Sequence, residues 1–98
     1  MMDVNVKDLI NRGAAIKKVG DFWNEKGLLP GMVMEEAGEL IHAINKYERN
    51  KLDANRQGVI DEIGDLLIIL SAYRYIYDIK DSEVIDRIDY KLGLEKED

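Results

Sequence analysis

The chain has no cysteine, which excludes disulfides and thiolate metal sites and agrees with a reducing compartment. It has one proline, one histidine and one tryptophan. A lone His42 with no serine partner in a recognisable motif leaves nucleophilic catalysis without its parts. No stretch alternates apolar and polar residues as a strand would, no linker or low-complexity tract interrupts the chain, and no glycine-rich phosphate loop is present. The longest apolar run, 66–70, is too short to cross a bilayer. The start, Met-Met-Asp-Val-Asn-Val-Lys, lacks the apolar stretch of a signal peptide. Bases are outnumbered, 14 Lys and Arg against 20 Asp and Glu, for a net charge of −6. That balance speaks against nucleic acid and against an anionic membrane surface. The expectation is a soluble, cytoplasmic protein in which residues 1–98 make one domain. So short a chain buries a modest fraction of its surface, so self-association is an expected supplement.

What the chain does have is helical periodicity. A first helix is expected over 4–26, with Leu9, Ile16, Val19 and Trp23 recurring at helical spacing and Asp3 or Asn5 as its cap. Gly13 and Gly20 weaken it by about 1 kcal/mol each relative to Ala, and either could mark a close helix contact. Gly27 suits the left-handed residue after a helix, and Pro30 the first turn of the next. A second helix is expected over 30–49. A third runs from a cap at Asp53 or Asn55 to about residue 79. It is apolar nearly all round at 66–70, which marks a central, buried helix. A short fourth helix begins at Asp81-Ser82-Glu83, with Ser82 as N-cap, Gly93 as terminator, and Val84, Ile85, Ile88 and Leu92 turned inward. Residues 95–98 read as a frayed tail. The fold class is all-α, four helices arranged around the third.

The informative feature is the spacing of acids. Glu36 and Glu39 are three apart, as are Glu62 and Asp65, and residues three apart share a helix face. The polar stretch 47–57 reads as a reversal. In an antiparallel hairpin facing positions have a constant sum, and the pairs Glu36–Asp65 and Glu39–Glu62 share one. The turn then falls between Asn50 and Lys51, and the two acidic pairs lie at one height. Helices packed roughly 8–10 Å apart let such side chains converge. Converging carboxylates repel unless a cation sits among them, and hard divalent ions with oxygen ligands, Mg²⁺ first, are the natural occupants.

The angular construction agrees. On helix two Val33, Ala37, Leu40, Ile41 and Ile44 form the main apolar stripe, with Glu36 roughly 100° and Glu39 roughly 160° to one side. On helix three Val59, Ile63, Leu66, Leu67 and Leu70 form the stripe, with Glu62 and Asp65 at the same offsets. The acids share their sector with Met32 and Ala43 on one helix and Gly58, Ile69, Ala72 and Ile76 on the other. Ordinary solvated acids would more often have Lys or Arg beside them. His42 lies about 60° beyond Glu39, towards solvent. Glu39 and His42 make half of a di-iron Glu-x-x-His bundle site, and with one His the other half is missing. Carboxylates with a divalent metal can by themselves bind phosphates and activate water, which suffices for phosphoanhydride hydrolysis.

Met34-Glu35-Glu36-Ala37-Gly38-Glu39-Leu40 followed by Asp61-Glu62-Ile63-Gly64-Asp65-Leu66-Leu67 resembles the EExxE, spacer, ExxD signature of the MazG-type all-α nucleoside triphosphate pyrophosphohydrolases. The resemblance is specific over 30–70 and loose elsewhere. It implies Mg²⁺-dependent conversion of a ribo- or deoxynucleoside triphosphate to the monophosphate and pyrophosphate, with Mn²⁺ as an alternative metal and nucleotide-pool house-cleaning as a role. Glu36, Glu39, Glu62 and Asp65 match the metal ligands. Glu35 matches the first acid of the motif, which either orients the ligands or accepts the proton of the attacking water. The family forms dimers or tetramers in which helices of two subunits build one site. It often holds phosphates with basic residues after the ExxD helix, and Arg74, Arg87 and Lys91 are the choices here, Arg87 and Lys91 sharing a face. Trp23 could stack on the base, although its spacing also fits the core. The alternatives are a phosphoribosyl-ATP pyrophosphohydrolase, whose second motif would carry a His absent here, and a non-catalytic helical dimerisation or regulatory module.

Overall fold

The computed structural model describes residues 12–94. The expected cap at Asp3 or Asn5, the first turns of helix one and the tail 95–98 lie outside them. The described residues form four helices, α1 Gly13–Glu25, α2 Leu29–Arg49, α3 Asp53–Ile76 and α4 Asp81–Leu92, and no strand. No helix among the described residues is long and apolar enough to cross a membrane.

Three of the helices stop for one reason. At each end a left-handed residue makes the turn, and the amide of the next residue bonds back to the carbonyl five residues before it. At Gly27 (φ 69°) the Leu28 amide donates to the Trp23 carbonyl at 3.0 Å. At Gly93 (φ 71°) Leu94 donates to Asp89 at 2.7 Å. Both glycines are the terminators the sequence indicates. At α3 the left-handed residue is Asp78 (φ 51°), and Ile79 donates to Arg74 at 2.9 Å. The helix therefore stops at Ile76, three residues before the expected end.

The helix starts differ from expectation in a similar way. Neither Asp53 nor Asn55 caps α3 through its side chain; Leu52 holds the cap position. The Asn55 side chain instead donates to the Asn50 carbonyl across the turn, at 2.9 Å. Ser82 is likewise inside the first turn of α4. Lys80 is the cap residue, and its amide donates to Glu83 Oε1 at 3.1 Å, so the acid three residues on satisfies the free backbone donor.

The long α3 is central to α1 and α2, which both pack on it. The core consists of Ile16, Leu29, Ile69 and Ala72, with Val19, Trp23, Met32, Val33, Leu66, Tyr73 and Ile76 around it. Gly20 is the close contact. A β-carbon there would lie 3.2 Å from the Ala72 carbonyl oxygen, whereas one at Gly13 would meet no described residue within 4 Å.

Two expectations are corrected. First, the main apolar stripes reach the core only through Val33 and Leu66. Ile69, Ala72 and Ile76 of the acid-bearing sector turn inward, while Ile41 (61% exposed), Ile44, Ile63 and Leu70 of the stripes face out, with Met34 and Ile60 beside them. Phase within a helix does not say which sector meets a neighbour, and here α1 covers the sector that contains Ile69 and Ala72. Second, α4 does not turn Val84, Ile85, Ile88 and Leu92 into the chain's own core. Among the described residues it packs on none of the other helices, no residue of it is buried, and Leu92 is 66% exposed. It is tied by an ion pair instead, Arg74 Nη2 to Asp81 Oδ1 at 2.9 Å.

Candidate metal and nucleotide site

A turn of three residues joins α2 to α3, so the helices run antiparallel and Glu36 and Glu39 come opposite Asp65 and Glu62. Glu36, Glu62 and Asp65 each offer a carboxylate oxygen, all within 4.8 Å of one another. Asp65 is exposed and the two glutamates half-buried. The Oε2 atoms of Glu36 and Glu62 are sealed from solvent and have no hydrogen-bond partner.

That arrangement disfavours ionisation. The Glu36 carboxyl is held above its ordinary pKa by desolvation first, then by the charges of Glu39, Asp65 and Glu35. Glu62 is raised by desolvation first, then by the charge of Glu39, a hydrogen bond with it, and the charges of Asp65 and Glu36. A buried carboxylate oxygen without a donor is costly unless a cation meets it.

The cluster fits a hard cation. Oxygens on opposite sides of a Mg²⁺ shell are about 4 Å apart, and around Ca²⁺ about 5 Å. Three oxygens within 4.8 Å of one another are no farther apart than the width of a Ca²⁺ shell, so they can converge on one hard cation by side-chain movement alone.

An open cleft of about 440 Å³ leads from this cluster along the hairpin. Glu35, Glu39 and Glu62 line one end and His42, Lys46 and Asn55 the other. All five acids of the two motifs are thus brought together. The other residues expected to touch substrate are not. Trp23 packs against the core, edge-on to Phe22 with ring centroids 4.9 Å apart. Arg87 lies over the Tyr90 ring at 5.2 Å, and it and Lys91 ride on α4, away from the acids of the same chain. His42 is exposed, as its phase predicts, but it stands on the cleft wall. Lys46 escaped the sequence reading altogether. Its signal was available: it is seven residues, two turns, from Glu39 and so shares its face.

A family model described as the MazG nucleotide pyrophosphohydrolase domain matches residues 25–94, well over half of the chain. The match spans both acidic motifs and α4. No curated protein and no solved structure gives a match.

Proposed function

Because the chain belongs to the MazG nucleotide pyrophosphohydrolase domain family, we propose that it hydrolyses a nucleoside triphosphate, ribo- or deoxy-, to the monophosphate and pyrophosphate. The metal would be Mg²⁺, with Mn²⁺ as a substitute. The observation that carries this reading is the pair of sealed, unpartnered Oε2 atoms of Glu36 and Glu62 beside Asp65. Surface acids of an inert helical module would turn such oxygens to water.

Glu36, Glu62 and Asp65 would hold the ion, with Glu39 against Glu62 completing the set. When bound, the cation neutralises phosphate charge and acidifies water. The chain's own contribution is positional. The hairpin fixes the acids at one height, so an α-phosphorus delivered there has carboxylates on both sides. Glu35 lines the cleft outside the trio, where it either orients its neighbours or takes the proton from the attacking water. Water adds to the α-phosphorus, the bond to the bridging oxygen breaks, and that oxygen leaves with pyrophosphate.

The exposed apolar side of the hairpin supports assembly as a homodimer or homotetramer. On the angular plot it lies opposite the cleft, so burying it leaves the cleft open. Cytoplasmic clearance of unwanted nucleotides is the role we assign.

The test is chromatography of reactions with a panel of ribo- and deoxynucleoside triphosphates and Mg²⁺. Monophosphate and pyrophosphate are expected; diphosphate and orthophosphate would refute the reaction. Glu39→Gln and Asp65→Asn should each abolish turnover while the helical fold persists, and unimpaired turnover by both would refute the site.

A further inference from the structure

The cleft extends beyond the acids, and its far end is cationic. Lys46 lies on its wall and makes no ion pair or ring contact with a described residue, whereas Lys51 is bound to Glu48 at 2.7 Å. The neighbours of Lys46 one turn away are His42, Ala43, Arg49 and Asn50, so no acid of its own helix neutralises it. A lysine in the last turn of a helix is favoured by the helix dipole, which explains a base there but not the side of the helix it occupies. Side chains on a helix lean towards its N-terminus. Lys46 and His42 therefore lean along the cleft towards Glu39, across a backbone separation of about 10 Å from residue 39 to residue 46.

The walls between the two ends are small: Gly38, Ala43, Ala54 and Gly58. Each glycine in a helix interior costs about 1 kcal/mol relative to Ala. A β-carbon at either would meet no atom of the described residues within 4 Å, so packing among the described residues does not require them. Among the described residues no Phe, Tyr or Trp lines the cleft, and the one ring there is the His42 imidazole, on the same wall as Lys46. One N–H of the Asn55 amide is engaged by the Asn50 carbonyl, and Lys46 supplies the positive charge on this part of the wall.

We infer that the Lys46 end of the cleft receives the terminal two phosphates of the substrate, so that the pyrophosphate half lies towards the helical reversal and the nucleoside half on the other side of the acids. This rests on the proposed cleavage at the α-phosphorus. The acid cluster binds phosphate only through a cation, so a triphosphate spanning it gains a direct contact only where the chain supplies positive charge.

The experiment compares wild type, Lys46→Gln, Lys46→Arg and the control Lys18→Gln, an exposed lysine on α1. It measures product inhibition by inorganic pyrophosphate and by nucleoside monophosphate, with Mg²⁺ present. Losing a charged hydrogen bond should weaken pyrophosphate inhibition roughly 10- to 100-fold in Lys46→Gln. The KM for triphosphate should rise, monophosphate inhibition should stay within about twofold, and Lys46→Arg should recover most of the loss. Unchanged pyrophosphate inhibition overturns the inference. So does a loss shared equally by the monophosphate, which would put the nucleoside at this end. If the wild type releases no pyrophosphate from any triphosphate, the proposed reaction itself is wrong. If it does, and Lys46→Gln behaves like Lys18→Gln, only the inference falls.

Discussion

Replacing Glu36 by Gln should stabilise the metal-free protein while ending its response to Mg²⁺. Two unit charges 4.8 Å apart, the limit within which Glu36, Glu62 and Asp65 oxygens lie, repel by about 0.9 kcal/mol in surroundings as polar as water. Asp65 is exposed, so that solvent-screened value is the appropriate one. The neutral amide removes the repulsion and lessens the desolvation of the sealed Oε2 position. A gain of about 1 kcal/mol at low ionic strength corresponds to a rise in Tm of about 4–8 °C for a chain of this size. It should shrink in physiological salt. The pH dependence follows from the direction of the shift. The folded state holds the Glu36 proton more tightly than the unfolded state. Below the unfolded pKa both states are protonated and wild type and variant should melt together. As pH rises through the window up to the raised folded pKa, wild-type stability falls relative to the variant, and the full difference is present above it. Added Mg²⁺ reverses the order, because an ion that binds only the folded wild type raises its midpoint. Thermal melts by circular dichroism at pH 4 and pH 8, with and without Mg²⁺, read all four corners. A variant less stable than wild type at pH 8 without metal, or one raised equally by Mg²⁺, would refute the electrostatic account.

The exposed apolar side of the hairpin gives a second prediction. Ile41→Glu combined with Ile63→Glu should yield a monomer by light scattering at micromolar concentration, where the wild type is expected to be at least a dimer; a monomeric wild type would remove the basis for assembly. The Arg74–Asp81 pair gives an asymmetric one. Asp81→Asn leaves a guanidinium whose Nε and Nη1 are already buried and unpartnered, and should cost about 1–3 kcal/mol in urea unfolding. Arg74→Met removes charge and orphan donors together and should cost less; the opposite order would contradict this. Gly20→Val should cost about 1–3 kcal/mol, because a β-carbon already sits 3.2 Å from the Ala72 carbonyl oxygen and its methyls would press on Ile76 and Tyr75. A melt unchanged from wild type would show that α1 can shift freely on α3.

Much of the architecture is written in local chemistry. Helical periodicity, Pro30 in a first turn, and Gly27 and Gly93 as left-handed stops fix α2 and α4 to within a residue or so, because each depends on residues a few positions apart. The convergence of Glu36, Glu39, Glu62 and Asp65 is also local, since two matched phases and one short reversal determine it. Asp78 shows where local signals thin out: an aspartate can take the left-handed turn, but its identity does not announce it as glycine's does. Other features are decided by which helix lies beside which. The sequence makes α3 apolar on nearly every side, so periodicity alone cannot choose between the Ile63–Leu70 stripe and the sector holding Ile69 and Ala72. The approach of α1 through Gly20 makes that choice and leaves Ile63 and Leu70 exposed. The same approach draws Trp23 into the core. Among the described residues no helix packs on α4, which leaves Arg87 and Lys91 apart from the acids of the two motifs. Lys46 joins the acids only because the open half of the hairpin, beyond the reach of α1, becomes one cleft. Spacing along a chain fixes direction around a helix axis; only packing decides which direction is inside.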